Sequence, residues 1–211
     1  LAKMPFRYAT VSAVCSRQLQ EAFRERGIET MLFYNMFEPD IFTFRERCKI
    51  EPKIIWTRWF EPLYDPLSAI ETFRIVKERH PNAELVMAGD GSMLAALRSH
   101  VKKEKLQGIS LPGRVSPEEV ARMMNEADIC LNTSRADGMP TTLLEAGACG
   151  LPIVTTNVGG IASLFEDGVS AMLREPNNPE ALAQAILDLL DNPDLARRIG
   201  NAAREAVMEY T

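Results

Sequence analysis

Asp128-Ile-Cys-Leu-Asn-Thr-Ser-Arg-Ala-Asp-Gly-Met-Pro-Thr-Thr-Leu-Leu-Glu-Ala-Gly-Ala-Cys-Gly-Leu-Pro-Ile-Val-Thr-Thr156 is the stretch that decides the fold. It opens on a short apolar run, Asp128–Asn132, passes through a polar loop into the apolar segment Thr141–Cys149, and ends on a second apolar run, Pro152–Thr155. Short apolar runs of this kind are typical of buried strands, and the segment between them has helical length. Two strands joined through a helix predict a right-handed crossover with the strands parallel.

The same alternation extends along the whole chain. Further strands are predicted at Tyr8–Val14, Thr30–Tyr34, Lys53–Thr57, Glu84–Ala88, Ile109–Leu111 and Ala171–Leu173. Further helices are predicted at Ser16–Arg26, Pro66–Arg79, Ser92–Glu104, Pro117–Ala127 and Pro179–Leu190, and from Pro193 to Tyr210. Strict alternation predicts an α/β fold, a doubly wound, Rossmann-like parallel sheet that binds its ligands at the carboxyl ends of the strands.

Composition excludes several classes of protein. The 24 Lys and Arg against 29 Asp and Glu give a net charge of −5, which argues against binding nucleic acid through bulk electrostatics. The four cysteines form no Cys-x-x-Cys pair and there are only two histidines, so we expect reduced thiols, no metal site and a cytoplasmic protein. The uncharged window Ala146–Phe165 contains four glycines and a proline, and therefore cannot be one membrane-spanning helix.

One boundary interrupts the pattern. Asn35–Asp40 breaks the periodicity, and residues 42–49 are rich in charge. We predict that residues 1–35 are the closing βαβ segment of a truncated first domain, because that unit is too small to fold alone and leaves sheet edges unpaired. Residues 36–52 are then a linker, and residues 53–211 form a ligand-binding domain. Since the sequence starts at Leu1 and not at Met, we expect it to come from a longer protein.

Two acidic residues stand out in the deciding stretch. Glu145 is the one charge in an otherwise apolar helix, and a buried carboxylate needs a hydrogen-bonding partner, which is the backbone, a distant residue or a ligand hydroxyl. Asp137 precedes Gly138 and the start of that helix, where it is either a turn residue or part of an anion site at the helix N-terminus. On the residues alone, both alternatives stay open for each acid.

Taken together, these motifs resemble a known family. Asp137-Gly138 and Glu145-Ala146, with seven residues between the two acids, are followed by Gly150-Leu-Pro-Ile-Val154 and Val158-Gly-Gly-Ile161. This pattern is similar to that of the group 1 retaining glycosyltransferases of the GT-B type. The resemblance extends upstream through Arg58, Gly89-Asp-Gly91 and Gly113-Arg-Val115 and downstream past Asn192-Pro193, so that it covers almost the whole chain.

The resemblance implies that the chain is the domain that binds a nucleotide-diphosphate-sugar donor. In that family Glu145 would bind the ribose hydroxyls, Asp137 would lie against the donor sugar, Arg58 would neutralise the departing diphosphate, and no metal or cofactor is needed. It assigns the donor-binding residues Gly89, Gly91, Gly113, Arg114, Val115, Ser134, Gly138, Met139, Pro140, Thr141 and Thr142. The acceptor, a glycan or lipid-linked molecule of glycan, cell-wall or lipopolysaccharide synthesis, and a catalytic histidine would belong to the missing first domain, so we expect the chain alone to be inactive.

Departures from the family pattern keep other functions open. The first acid is usually Glu, and the Lys that normally follows the Arg by five residues is replaced, since Leu63 and Tyr64 stand there. Lys53, Arg114 or Arg135 would have to supply that cation. The main alternative is a non-catalytic nucleotide-binding domain; a sugar-nucleotide epimerase or a phosphorylase relative is a third hypothesis. The basic run Lys102–Lys105 would allow contact with the inner face of a membrane but does not establish it.

Overall fold

A computed structural model describes residue 9 and residues 11–211. The strands are β1 (Ala13–Val14), β2 (Met31–Leu32), β3 (Lys53–Thr57), β4 (Glu84–Ala88), β5 (Ile109–Gly113), β6 (Ile129–Asn132), β7 (Ile153–Thr156) and β8 (Met172–Arg174). The α-helices are α1 (Arg17–Arg24), α2 (Pro66–Arg79), α3 (Leu94–Lys103), α4 (Pro117–Glu126), α5 (Thr141–Ala148), α6 (Ile161–Leu164), α7 (Pro179–Asp191) and α8 (Pro193–Val207). A 3₁₀ turn, Pro62–Tyr64, precedes α2. The predicted α/β fold is confirmed.

Six strands form one parallel sheet in the order β5-β4-β3-β6-β7-β8. The chain moves outward from β3 to β5, then returns to the other side of β3 and continues outward from β6 to β8. The strand order therefore reverses between β3 and β6. In a sheet of this kind the loops after the two strands at the switch point diverge and leave a crevice for a ligand.

The core lies on both faces of the sheet, as residue alternation along β3 shows. Ile54 and Trp56 pack with Phe73 of α2 on one face, and Ile55 packs with Leu143 of α5 on the other. All five side chains are 1% exposed or less. Because side chains alternate along a strand, a run that is apolar at every position is buried from both sides. This explains why the central strands were recognisable as continuous apolar runs.

A separate two-stranded parallel sheet pairs β1 with β2 around α1. Both strands are shorter than predicted, and Tyr8 and Thr10 of the predicted strand Tyr8–Val14 lie outside the described residues. Residues 33–52 connect this unit to β3 without a helix or strand.

Arg47 fixes the end of that connection. Its side chain is 4% exposed, and its guanidinium donates to the carbonyl oxygens of Met124, Ala127, Arg45 and Cys149 at 2.6–3.1 Å. Three of these acceptors, Met124, Ala127 and Cys149, lie at the C-terminal ends of α4 and α5, where helix carbonyls lack intrahelical partners and a cation is favourable. Residues 45–47 are thereby tied to the six-stranded unit.

Candidate functional site

A cleft of about 410 Å³ lies at the carboxyl ends of β3, β4, β5 and β6, at the switch point of the sheet. Predicted site residues that line it are Arg58, Gly89, Arg114, Val115, Asp137, Met139, Pro140, Thr141, Thr142 and Glu145. The other lining residues are Asn35, Thr57, Trp59, Tyr64, Ala88, Asp90 and Val120. The sequence-predicted cation, both acids and the start of α5 are therefore brought together in one cavity.

Arg58 follows directly after β3 and is held from three sides. Its Nη2 donates to the carboxylate of Asp137, and its Nη1 lies 3.4 Å from the hydroxyl of Thr142. Its guanidinium carbon stands 4.2 Å from the centre of the Tyr64 ring, a cation–π contact. The side chains of Arg58 and Asp137 are 11% and 9% exposed. Arg58 is thus fixed in a largely dry environment in which its charge acts strongly.

The loop that carries Asp137 rests on two glycines of the β7–α6 loop. The amide of Gly160 donates to the carbonyl of Asp137 at 2.9 Å. A Cβ atom at Gly159 would stand 1.8 Å from that same carbonyl oxygen, and one at Gly160 would stand 1.8 Å from the carbonyl oxygen of Gly138. The two glycines of the Val158-Gly-Gly-Ile161 motif therefore position the loop that carries Asp137, because they let the backbone of the β7–α6 loop contact the backbone of Asp137 and Gly138. Burial raises the pKa of Asp137, whereas Arg58 opposes that shift.

Helix α5 presents its N-terminus to the cleft. It begins after Pro140 without a side-chain cap, and Thr141 and Thr142 of its first turn line the cavity. The first N–H groups of a helix have no intrahelical partner and carry the positive end of the helix dipole. This end of α5 is therefore suited to bind an anion such as a phosphate.

Glu145 lies one turn further along α5, half-buried among apolar residues. Burial raises its pKa from 4.5 to about 7; the positive charge of Arg58 opposes this shift and the negative charge of Glu38 adds to it. Within residues 11–211 its carboxylate accepts no hydrogen bond and forms no ion pair. Such a carboxylate has its full acceptor capacity available for hydroxyl groups of a ligand.

The Gly89-Asp-Gly91 turn is shaped by backbone contact. Both glycines have positive φ, and a Cβ atom would stand 1.9 Å from the carbonyl oxygen of Arg58 at Gly89 and 2.6 Å from that of Phe60 at Gly91. Gly89 lines the cleft, whereas Gly91 does not. The turn therefore seats the β4–α3 loop against the loop after β3, which carries Arg58.

Four predicted donor-binding residues lie outside the lining of the cleft: Gly91, Gly113, Ser134 and Gly138. Ser134 is 0% exposed and donates its hydroxyl to Asn132 at 2.8 Å, so it supports the loop from beneath. Gly138 borders a second cavity on the side facing Cys15. Gly113 ends β5, immediately before Arg114.

The structure distinguishes the three candidates for the missing cation. Lys53 begins β3, at the opposite end of the strand from Arg58, and pairs with Glu51 at 2.8 Å. Arg135 donates through Nε and Nη2 to the buried carboxylate of Asp65, both at 3.0 Å. Arg114 alone of the three lines the cleft, and it makes no hydrogen bond or ion pair with the part of the chain that the structure describes. Arg114 is therefore the available second cation.

Two residues of the cleft were not predicted to contribute to it. The side-chain amide of Asn35 donates to the carbonyl of Met139 at 2.5 Å and so links the segment after β2 to the start of α5. Tyr64 supports Arg58 from below. Trp59 is 56% exposed at the cleft, whereas Trp56, two residues before Arg58, is buried.

Other kinds of site have little support in the described residues. Among residue 9 and residues 11–211, no group of three or more His, Cys, Asp or Glu side chains is placed to hold a metal ion. Within the same residues, no helix is long and apolar enough to cross a membrane. All four cysteines are free thiols, and Cys130 and Cys149 are buried.

Comparison with known proteins places the chain in a family. The family "Glycosyl transferases group 1" matches residues 44–206. An uncharacterized glycosyltransferase of Methanocaldococcus jannaschii is 34% identical over 136 residues, covering 64% of this chain and 38% of that protein. The N-acetyl-alpha-D-glucosaminyl L-malate synthase of Bacillus anthracis is 31% identical over 61% of this chain and 33% of its own length. The chain thus spans about a third of the length of these relatives.

Solved structures show the same fold. TarM of S. aureus superposes with a TM-score of 0.88 at 19% identity, covering 98% of this chain and 42% of TarM. The C-terminal domain of LpcC, a glycosyl transferase group 1 family protein from Francisella tularensis, superposes with a TM-score of 0.72 at 18% identity, covering 82% of this chain and 97% of that domain. With the sequence match, these observations show that the chain belongs to the group 1 glycosyltransferases and contains their C-terminal, Rossmann-like domain.

Proposed function

We propose that this chain is the donor-binding part of a retaining glycosyltransferase and holds a nucleotide-diphosphate sugar in the cleft at the switch point. The observation that carries the proposal is the convergence of Arg58, Asp137, Glu145 and the free N-terminus of α5 on one cavity. Each of these groups is suited to bind a different part of such a donor: the diphosphate, the sugar or the ribose.

The diphosphate is assigned to the cationic end of the cleft. Backbone amides at Thr141 and Thr142 and the guanidinium of Arg58 are positioned to bind its oxygens, because Arg58 already contacts the hydroxyl of Thr142. When the bond between the sugar and the diphosphate breaks, negative charge accumulates on the departing diphosphate. Preorganised donors and a cation in a dry site stabilise that developing charge, and Arg114 would add a second cation from β5.

The sugar and the nucleoside are assigned to the acids and to the β5 loop. Glu145 has free acceptor capacity and sits one turn into α5, which suits the two adjacent hydroxyls of a ribose. Asp137 lies against the donor sugar beside the diphosphate. Val115 and the backbone after β5 would meet the base. TarM was solved in complex with UDP, and HepE of Anabaena with UDP-glucose, which supports a nucleotide-sugar donor for this fold.

Transfer itself would require a preceding domain. That domain would bind the acceptor, a glycan or a lipid-linked molecule, and would supply the catalytic histidine; the chain alone is then inactive. A non-catalytic nucleotide-binding domain is the second candidate. It is favoured by Leu63, which is 47% exposed where the family has a lysine and brings no charge to the cleft.

Calorimetric titration with UDP, GDP and ADP tests the proposal. We expect one of the three to bind, and we expect Glu145→Ala to weaken that binding at pH 8 by at least about tenfold, since a half-buried, ionised hydrogen-bond acceptor is lost. Glu205→Ala is the matched control, because Glu205 is an exposed carboxylate of α8 that does not line the cleft. Binding that survives Glu145→Ala unchanged would contradict the assignment. Turnover of a sugar nucleotide by the full-length protein would separate the enzyme from the non-catalytic alternative.

A further inference from the structure

The ion pair between Arg58 and Asp137 occupies the part of the cleft to which the diphosphate is assigned. Resting on the proposed function, we infer that Asp137 competes with the diphosphate for Arg58, so that the pair weakens binding of the free nucleoside diphosphate by-product more than binding of its sugar conjugate. Asp137 is then a specificity-determining residue as well as a contact for the sugar.

Two of the guanidinium nitrogens of Arg58 already have partners within the chain. Its Nη2 is bound by the Asp137 carboxylate, and its Nη1 is directed to Thr142. Its Nε is buried and has no hydrogen-bond partner within the described residues. Tyr64 covers one face of the guanidinium and restricts where it can turn. A diphosphate can reach Arg58 only by sharing it with Asp137 or by displacing that carboxylate.

Thr142 shows that the anion site at the N-terminus of α5 and the guanidinium of Arg58 lie side by side. This residue lies in the first turn of α5, whose N-terminal amides are the anion site, and its hydroxyl is the second partner of Arg58. An anion held at these amides therefore stands beside the guanidinium and also beside the carboxylate that the guanidinium binds. Asp137 and the anion compete for one cation, and they repel each other where burial leaves little solvent screening.

The charge of the two nucleotides makes this competition selective. A diphosphate joined to a sugar carries two negative charges, whereas a free nucleoside diphosphate gains a third on its terminal phosphate, whose second pKa is about 6. The terminal phosphate is the end that faces Asp137, because the sugar attached there in the donor is the part assigned to Asp137. The extra charge thus falls where the fixed carboxylate is closest.

Replacement of Asp137 by Asn tests this inference. Calorimetric titration of the whole chain would use UDP, GDP, ADP and inorganic pyrophosphate at pH 8, and then the sugar conjugate of the nucleotide that binds. We expect Asp137→Asn to bind the recognised nucleoside diphosphate and pyrophosphate on the order of tenfold more tightly than the wild type. Loss of a sugar contact cannot tighten these ligands, because neither contains a sugar on its terminal phosphate.

Asp90→Asn is the matched control. Asp90 lines the same cleft, but its carboxylate accepts from the amide of Gly91 at 2.8 Å and does not contact Arg58. We expect this variant to change affinity less than about threefold, as a more distant charge does. Asp137→Ser removes the same charge and replaces Asp137→Asn if that variant does not fold.

Each possible result of these titrations either supports or overturns the inference. Tighter binding of the recognised nucleoside diphosphate by Asp137→Asn, with a smaller gain for its sugar conjugate and little change in Asp90→Asn, supports the inference. Equal tightening in both variants would show a general effect of cleft charge and overturn it, and so would weaker or unchanged binding in Asp137→Asn when the wild type binds. If neither the wild type nor Asp137→Asn binds any of the four probes, the proposed donor site is contradicted and this inference falls with it.

Discussion

Glu145 is expected to support nucleotide binding and, at the same time, to lower the free energy of unfolding of the chain as pH rises. The folded chain holds the proton of this carboxyl up to about pH 7, because burial raises its pKa, whereas the unfolded chain releases it near the ordinary value of 4.5. Between these values the unfolded state binds fewer protons than the folded state, so the free energy of unfolding falls as pH rises. The full difference corresponds to about 3 kcal/mol at pH 8.

Glu145→Gln removes that cost, because Gln has nearly the same shape and cannot ionise. We expect the variant to be more stable than the wild type by about 3 kcal/mol at pH 8 and by less than about 1 kcal/mol at pH 5, where the folded carboxyl is still protonated. Urea unfolding at the two pH values measures both differences. Glu205→Gln, on an exposed face of α8, should leave stability unchanged at both.

The stability of Glu145→Gln at pH 8 can refute this reasoning. A Glu145→Gln variant that is equally or less stable than the wild type at pH 8 would show that the carboxylate has a stabilising partner in the folded chain. Glu145 would then be a structural residue and not a buried acceptor reserved for a ligand. Stabilisation together with weaker nucleotide binding is the combination expected of a residue retained for function.

Two substitutions test how the cleft and its connection are held. Arg47→Met leaves the carbonyls at the ends of α4 and α5 without their charged donor and should lower the free energy of unfolding by about 3 kcal/mol, against little change for Arg198→Met on the surface of α8. Gly159→Ala and Gly168→Ala both place a side chain at positive φ, but only at Gly159 does the new atom meet the carbonyl of Asp137. Gly159→Ala should therefore cost at least about 2 kcal/mol more in urea unfolding and should weaken nucleotide binding; equal costs would contradict the backbone contact.

Much of the fold was predictable because local sequence patterns, such as helix caps and apolar runs, agree with the positions of the helices and strands in the sheet. Helix α2 was predicted with the bounds observed, since Pro66 at its first position follows the capping carboxylate of Asp65. Strands β3 and β4 were also predicted with their observed bounds, because Ile54–Trp56 and Leu85–Ala88 are the continuous apolar runs that are typical of buried strands in a parallel sheet. The short α6 and the 3₁₀ turn at Pro62–Tyr64 were not predicted, because neither is long enough to show a helical period.

The candidate site was predictable in part. Glu145 was singled out because a lone carboxylate in an apolar helix is unusual in sequence. Asp137 was singled out because Gly138 and a helix N-terminus follow it and because the pair of acids matches the family pattern. The role of Asn35 comes from a contact with Met139, 104 residues further along the chain, which no local pattern records. Tyr64 reaches Arg58 through the 3₁₀ turn at Pro62–Tyr64, which is too short to be predicted from the sequence. Ser134 was predicted to bind the donor, but its hydroxyl donates to Asn132 and does not line the cleft. The sequence of a polar loop does not show which of its side chains face inward.

A crystal structure of the chain with the nucleoside diphosphate that binds most tightly tests the central claim most directly. The donor-site assignment predicts ribose hydroxyls within hydrogen-bond distance of the Glu145 carboxylate and phosphate oxygens at the amides of Thr141 and Thr142, with Arg58 turned toward them. A nucleotide bound elsewhere, such as the second cavity bordered by Gly138 and Cys15, or bound in the cleft without contact to Glu145 and α5, would contradict it.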